Sequence, residues 1–192
     1  PHYLSFDIDD FMRIGSPLKV NPPVKSNGNS DLLWQALSQG HLSFVASDHA
    51  PCPVGEKKTG SIWTDYSGIP GVGTLLPFMF SEGYLKKRLT LSQLTHVTSQ
   101  SAASRYGIDY CKGSIEIGKD ADFAVIDPAI KWRVKGAEFL SMGKITPFEG
   151  LVFTGKIVKT YLRGTQIYDH DTGILTNPGT GHFLRKSYGY KQ

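Results

Sequence analysis

Cysteine is scarce in this chain: Cys52 and Cys111 are the only two among 192 residues. Two cysteines cannot build the disulfide framework of a small secreted domain. Long apolar runs are missing too. Nothing approaches the roughly 18 residues of a membrane-spanning helix, and the longest stretches, such as Phe123-Ala124-Val125-Ile126, are strand-sized. No secretory pattern opens the chain, so the cytoplasm is the expected location. A basic stripe is also absent. The formal net charge is +4, but Lys and Arg are scattered apart from Lys86-Lys87-Arg88 and Arg185-Lys186. No aromatics interleave with them, which argues against a nucleic-acid partner and for an ordinary solvated surface. Repeats and low-complexity segments do not occur. Finally, the chain lacks an initiator Met and opens on Pro1-His2-Tyr3-Leu4. That opening reads like the middle of something, and the sequence leaves open a fragment, a processed product or a whole gene product.

What is present is typical of a globular protein: 40% hydrophobic and 20% charged residues, with 21 Gly and 11 Pro that imply many turns. Residues 1–6 could leave a strand. Ile8, Phe11, Met12 and Ile14 sit near helical spacing, and Asn21-Pro22-Pro23 should be extended. Ser30 is a candidate N-cap for a helix over 31–38 that Gly40 ends. Residues 41–48 read as a short apolar strand of the kind buried in a parallel sheet. A long irregular stretch follows over 50–73, and loops of that length in compact domains usually serve function. Helical patterns cover 74–83 and 91–106, with Thr90 as N-cap and Gly107 as stop. From Gly107 on the texture changes. Residues 112–127, 132–134, 155–162 and 166–168 read as strands, with Arg163-Gly164-Thr165 as a tight turn. Two parts emerge, 1–110 alternating strand, loop and helix, and 111–192 mostly β.

The chemistry-bearing signal is Ala46-Ser47-Asp48-His49-Ala50-Pro51-Cys52-Pro53 at the end of the apolar run. In a barrel of parallel strands, residues at the C-terminal strand ends face the active site. An Asp there can ligate a metal, shuttle a proton, or do both; an Asp that turns the chain or caps a helix looks the same from these eight residues. Neighbouring residues on a strand point to opposite sides, so only one of Asp48 and His49 faces a given metal and the other supports it. Cys52 is a soft ligand type, but no second cysteine lies nearby. A metal centre needs three or four ligands, and His2, His41, His96, His170 and His182 are too dispersed to complete one.

Four patches resemble the cyclic amidohydrolases: allantoinases, dihydroorotases and hydantoinases. Pro1-His2-Tyr3-Leu4 is similar to the end of that family's seventh barrel strand, and Lys19-Val20-Asn21-Pro22-Pro23-Val24 to the segment after it. Ser47-Asp48-His49-Ala50-Pro51-Cys52-Pro53 is similar to the end of the eighth strand. The run from Lys112 to Phe123 through Gly113, Gly118 and Asp120-Ala121-Asp122 is similar to the lead into the family's composite β-sandwich. The resemblance implies an α/β fold, the C-terminal part of a (β/α)8 metal-dependent hydrolase barrel over 1–110, then strands of a small β-sandwich and a tail over 111–192. It implies a binuclear zinc site to which this chain contributes only Asp48, as metal ligand and as catalytic base and acid. The other ligands belong to earlier strands, so the isolated chain is expected to be inactive and to need the N-terminal remainder of the barrel. His2, on the seventh strand, is left out of the metal set.

Asn21, Cys52, Gly68 and Gly71 fall where the family contacts its substrate, a small cyclic amide or ureide; Gly68 and Gly71 are equally explained as turn glycines. Dihydroorotases commonly carry His where this chain has Cys52, and the Asp-His-Ala-Pro-Cys-Pro run is closer to allantoinases. The expected activity is therefore allantoinase-like ring opening, with dihydroorotase as the alternative and hydantoinase third. A non-catalytic binding or assembly module is the alternative of another class. The resemblance also implies a homo-oligomer. Substrate stereochemistry and metal identity lie beyond the sequence.

Overall fold

The computed structural model describes residues 1–187. Among these described residues six short α-helices precede four strands. They are α1 (Ile8–Ile14), α2 (Asn29–Ser38), α3 (Val54–Lys57), α4 (Val72–Phe78), α5 (Leu91–Thr95) and α6 (Ser101–Arg105). The strands β1 (Phe123–Arg133), β2 (Val152–Leu162), β3 (Thr165–Asp169) and β4 (Gly173–Ile174) form one antiparallel sheet in sequence order.

Local chemistry accounts for most of these elements. Asp7 accepts from the Asp9 and Asp10 amides and starts α1 with a capping box. Thr90 does the same for α5 with Gln93. The helix α4 continues into a wide π turn over Met79–Tyr84, and a second π turn over His96–Gln100 joins α5 to α6. Both helical patterns read from the sequence therefore stand, each with a π turn inside it. Between β2 and β3, Arg163 and Gly164 both have positive φ, 48° and 80°. That is the two-residue hairpin whose twist matches the strands it joins. Asp122 accepts from the Arg163 amide at 2.8 Å and pins the turn to the start of β1.

Four expectations are corrected. Residues 2–4 form a 3-10 turn, not a strand end. The N-cap of α2 is Gly28 rather than Ser30, and the helix begins at Asn29. Residues 112–122 are turns, and strand begins only at Phe123. The apolar run 41–48 is not a strand: it is irregular, its Val45 amide donates to Val97, and a single parallel bridge links His49 to Ile69. A strand needs neighbours for its backbone groups, and among the described residues no strand flanks this run. Leu42 is accordingly exposed rather than buried.

Helices and sheet share one apolar core. Phe148, 1% exposed, touches Phe6 at 4.9 Å, Phe78 at 5.6 Å and Phe153 at 5.9 Å between ring centres. It thus joins the first residues, α4 and β2. Trp34 of α2 extends the cluster against Phe78 at 5.9 Å and donates its indole N–H to the Leu4 carbonyl at 2.9 Å. Phe148→Ala should lower unfolding stability by about 3–5 kcal/mol, the range for truncating a buried aromatic; chemical denaturation measures it. A loss below about 1 kcal/mol would mean that the ring does not tie these elements together.

Candidate active site

Asp48 ends the irregular run with φ 50°, a left-handed conformation that a non-glycine residue seldom adopts. Its side chain is 63% exposed, so its carboxylate stands open at the rim of the fold. Strain of this kind concentrates at functional sites, where surrounding contacts hold it in place.

Four segments converge around it. From the start of the chain, His2 places Nε2 3.9 Å from Asp48 Oδ2 while its own residue is 1% exposed. Among the described residues neither His2 ring nitrogen has a hydrogen-bond partner. Burial holds its imidazolium well below the usual histidine range, so the ring is neutral near pH 7. Tyr3 donates its hydroxyl to the Pro22 carbonyl at 2.5 Å, which ties the first segment to the second. Burial, together with the Asp48 charge, pushes that phenol's pKa up. In the second segment Asn21 is exposed and precedes a cis peptide bond to Pro22.

The third and fourth segments, 47–52 and 66–71, lie against each other. The Ala50 amide donates to Ile69 at 2.9 Å. His49 turns away from Asp48, and its Nδ1 accepts from the Gly71 and Val72 amides at 3.1 and 3.2 Å. It thereby satisfies the free N–H groups at the start of α4. His49 thus serves the start of α4, while the Asp48 carboxylate is open. A side chain at Gly68, whose φ is 150°, would come within 2.7 Å of Ala50 Cβ and O. At Gly71 a Cβ would overlap the Ser47 carbonyl oxygen. Both glycines are therefore required by close backbone approach beside Asp48. Cys52 is buried at 7% exposure, and burial pushes its thiol up.

Sequence reasoning passed over two residues here. His2 was left out of the metal set, and it is a buried group 3.9 Å from the Asp48 carboxylate. Lys57, which no motif singles out, is 1% exposed.

A divalent metal fits Asp48 in one respect: its carboxylate is exposed and accepts no hydrogen bond from the described residues. Among the described residues no group of three His, Cys, Asp or Glu could hold an ion. No helix among them is long and apolar enough to cross a membrane.

Residues 21–167 match the Amidohydrolase family. An L-hydantoinase of Paenarthrobacter aurescens is 37% identical over 98% of this chain and 42% of its own length. An allantoinase of Rubrobacter xylanophilus is 35% identical over 96% of this chain and 40% of its own. Among solved structures, the L-hydantoinase (dihydropyrimidinase) of Arthrobacter aurescens superposes with TM-score 0.87 at 36% identity, covering 92% of this chain and 39% of that one. A Bacillus D-hydantoinase gives 0.91 at 29% identity, covering 97% and 42%. The chain thus spans about two-fifths of the length of these relatives.

Proposed function

Because this chain belongs to the amidohydrolase family, on its cyclic-amide branch, we propose that it forms the C-terminal part of a metal-dependent hydrolase that opens a five-membered ring ureide. Allantoin is a hydantoin that carries a ureido group, so allantoinase and hydantoinase chemistry break the same kind of ring amide bond. The observation that carries the reading is the open, left-handed Asp48 beside the buried, unpartnered His2. Dihydroorotate recognition is less supported, since the buried Cys52 stands where a carboxylate-binding histidine would be needed.

In this reading residues 1–110 complete a (β/α)8 barrel and 111–192 supply strands of a β-sandwich; the last five residues of that span lie outside the described ones. The irregular run before Asp48 supports it, because its free backbone groups and exposed Leu42 call for strand neighbours. Those neighbours, and the remaining metal ligands, come from the N-terminal portion that the longer relatives possess.

When bound, divalent zinc supplies Lewis-acid polarisation of the ring carbonyl and a more acidic water. Asp48 is the ligand this chain gives it. The Asp48 carboxylate accepts a proton as water attacks the amide carbon. It returns that proton to the ring nitrogen as the C–N bond breaks, leaving a carboxylate and a ureido group. His2, neutral and 3.9 Å away, packs beside Asp48. Asn21 borders the substrate ring, Gly68 and Gly71 let their loop pack closely beside it, and Cys52 acts behind them through packing.

The test is reconstitution. This chain alone should open neither hydantoin nor allantoin. Joined to its N-terminal portion it should open at least one, and a chelator should abolish the activity. Ring opening by the lone chain, or chelator-resistant ring opening by the complete protein, would refute the reading.

A further inference from the structure

We propose that Lys57 is a positioning residue for substrate binding: its buried ammonium clamps the segment before Asn21 to the loop that carries Gly68. The inference rests on the functional reading above. Lys57 ends α3, is 1% exposed, and aims Nζ at three backbone carbonyls: Lys19 at 2.9 Å, Tyr66 at 3.0 Å and Gly68 at 2.6 Å. Its three N–H bonds are matched by three acceptors. The Lys19 carbonyl also accepts from the Gly68 amide at 3.0 Å, which closes the clamp.

Everything nearby reinforces the same junction. Lys19 donates its own Nζ to the Ile62 and Asp65 carbonyls at 2.6 and 2.5 Å. Asp65, 5% exposed, accepts from the Thr59 amide at 2.7 Å and from Ser16. A long polar loop is thus tied from inside by a cation that no carboxylate among the described residues bonds. The clamp joins Gly68 to the segment two residues before Asn21, and the reading above puts Gly68 and Asn21 at the substrate. The position has a cost for the charged form. Burial draws the Lys57 ammonium down to about 8, with Lys19 adding to the effect and Cys52 and Asp65 opposing it. Only the protonated amine has three N–H groups, so above that pH one carbonyl loses its donor.

The experiment compares the complete enzyme with its Lys57→Met and Lys57→Gln variants. Exchange of the Gly68 amide is followed by hydrogen–deuterium exchange, and ring opening of hydantoin and allantoin is assayed between pH 6.5 and 9.5. Lys57→Met should expose Gly68 to exchange about ten- to a hundredfold faster, the weight of hydrogen bonds to a charged donor. KM should rise about tenfold with kcat within about threefold. Lys57→Gln, which keeps two N–H groups, should recover part of both. In the parent enzyme KM should climb as pH passes about 8, and this limb should be missing from Lys57→Met. Unchanged exchange and KM in a folded Lys57→Met would overturn the proposal, as would a KM limb that survives the substitution. Should Lys57→Met not fold, the Lys57→Gln exchange and KM decide in the same way. If no cyclic amide is opened by the parent while Lys57→Met still loosens Gly68, the clamp stands and the assigned reaction fails.

Discussion

Replacing Asp48 with Asn in the complete enzyme is expected to lower kcat by about a thousandfold or more, the scale of a general acid–base group, while the melting temperature stays nearly unchanged. The two halves of this expectation have separate origins. The side chain is 63% exposed and, among the described residues, accepts no hydrogen bond, so its amide isostere removes no packing and orphans no donor. The proton transfer, by contrast, is not taken over by the described neighbours, since burial holds His2 neutral and pushes the Tyr3 phenol up. Asn also donates where a cation needs an acceptor, so metal affinity should fall with the rate. A variant that keeps more than about a tenth of the parent kcat would remove Asp48 from the chemistry.

Gly71→Ala carries the second large effect. The added methyl would overlap the Ser47 carbonyl oxygen, which is backbone and cannot swing aside. Relief requires the 66–71 loop to move away from 47–50, and that movement pulls the Gly71 and Val72 amides off His49. Overpacking of this kind costs about 1–3 kcal/mol, and the same shift moves the loop relative to Asp48. The variant should therefore lose both stability, by denaturant titration, and more than about tenfold in kcat/KM, since small misplacements at a site are costly. Wild-type stability together with wild-type kinetics would show that the two segments are not packed as described.

How much of this was legible in the sequence depends on the range of the interaction. The Thr90 cap, the Arg163-Gly164 turn and the helix over 91–106 are set by residues a few positions apart, and all three stand. Asp48 was legible because an Asp closing an apolar run before a Pro-rich loop is a compact local pattern. The run itself was misread as a strand, since strandedness needs partners that no local pattern supplies and that the described residues do not provide. His2 and Lys57 were hidden for a related reason. Neither has a distinguishing neighbour in sequence, and each acquires its role by burial against segments up to 46 residues away.

The most direct test of the central claim is the divalent metal content of the native complete protein, measured beside Asp48→Asn by elemental mass spectrometry. About two metals per chain in the parent, fewer in the folded variant, and ring opening lost in step is the expected result. Equal metal content in the two proteins with ring opening intact would contradict the assignment of Asp48 as metal ligand and proton carrier.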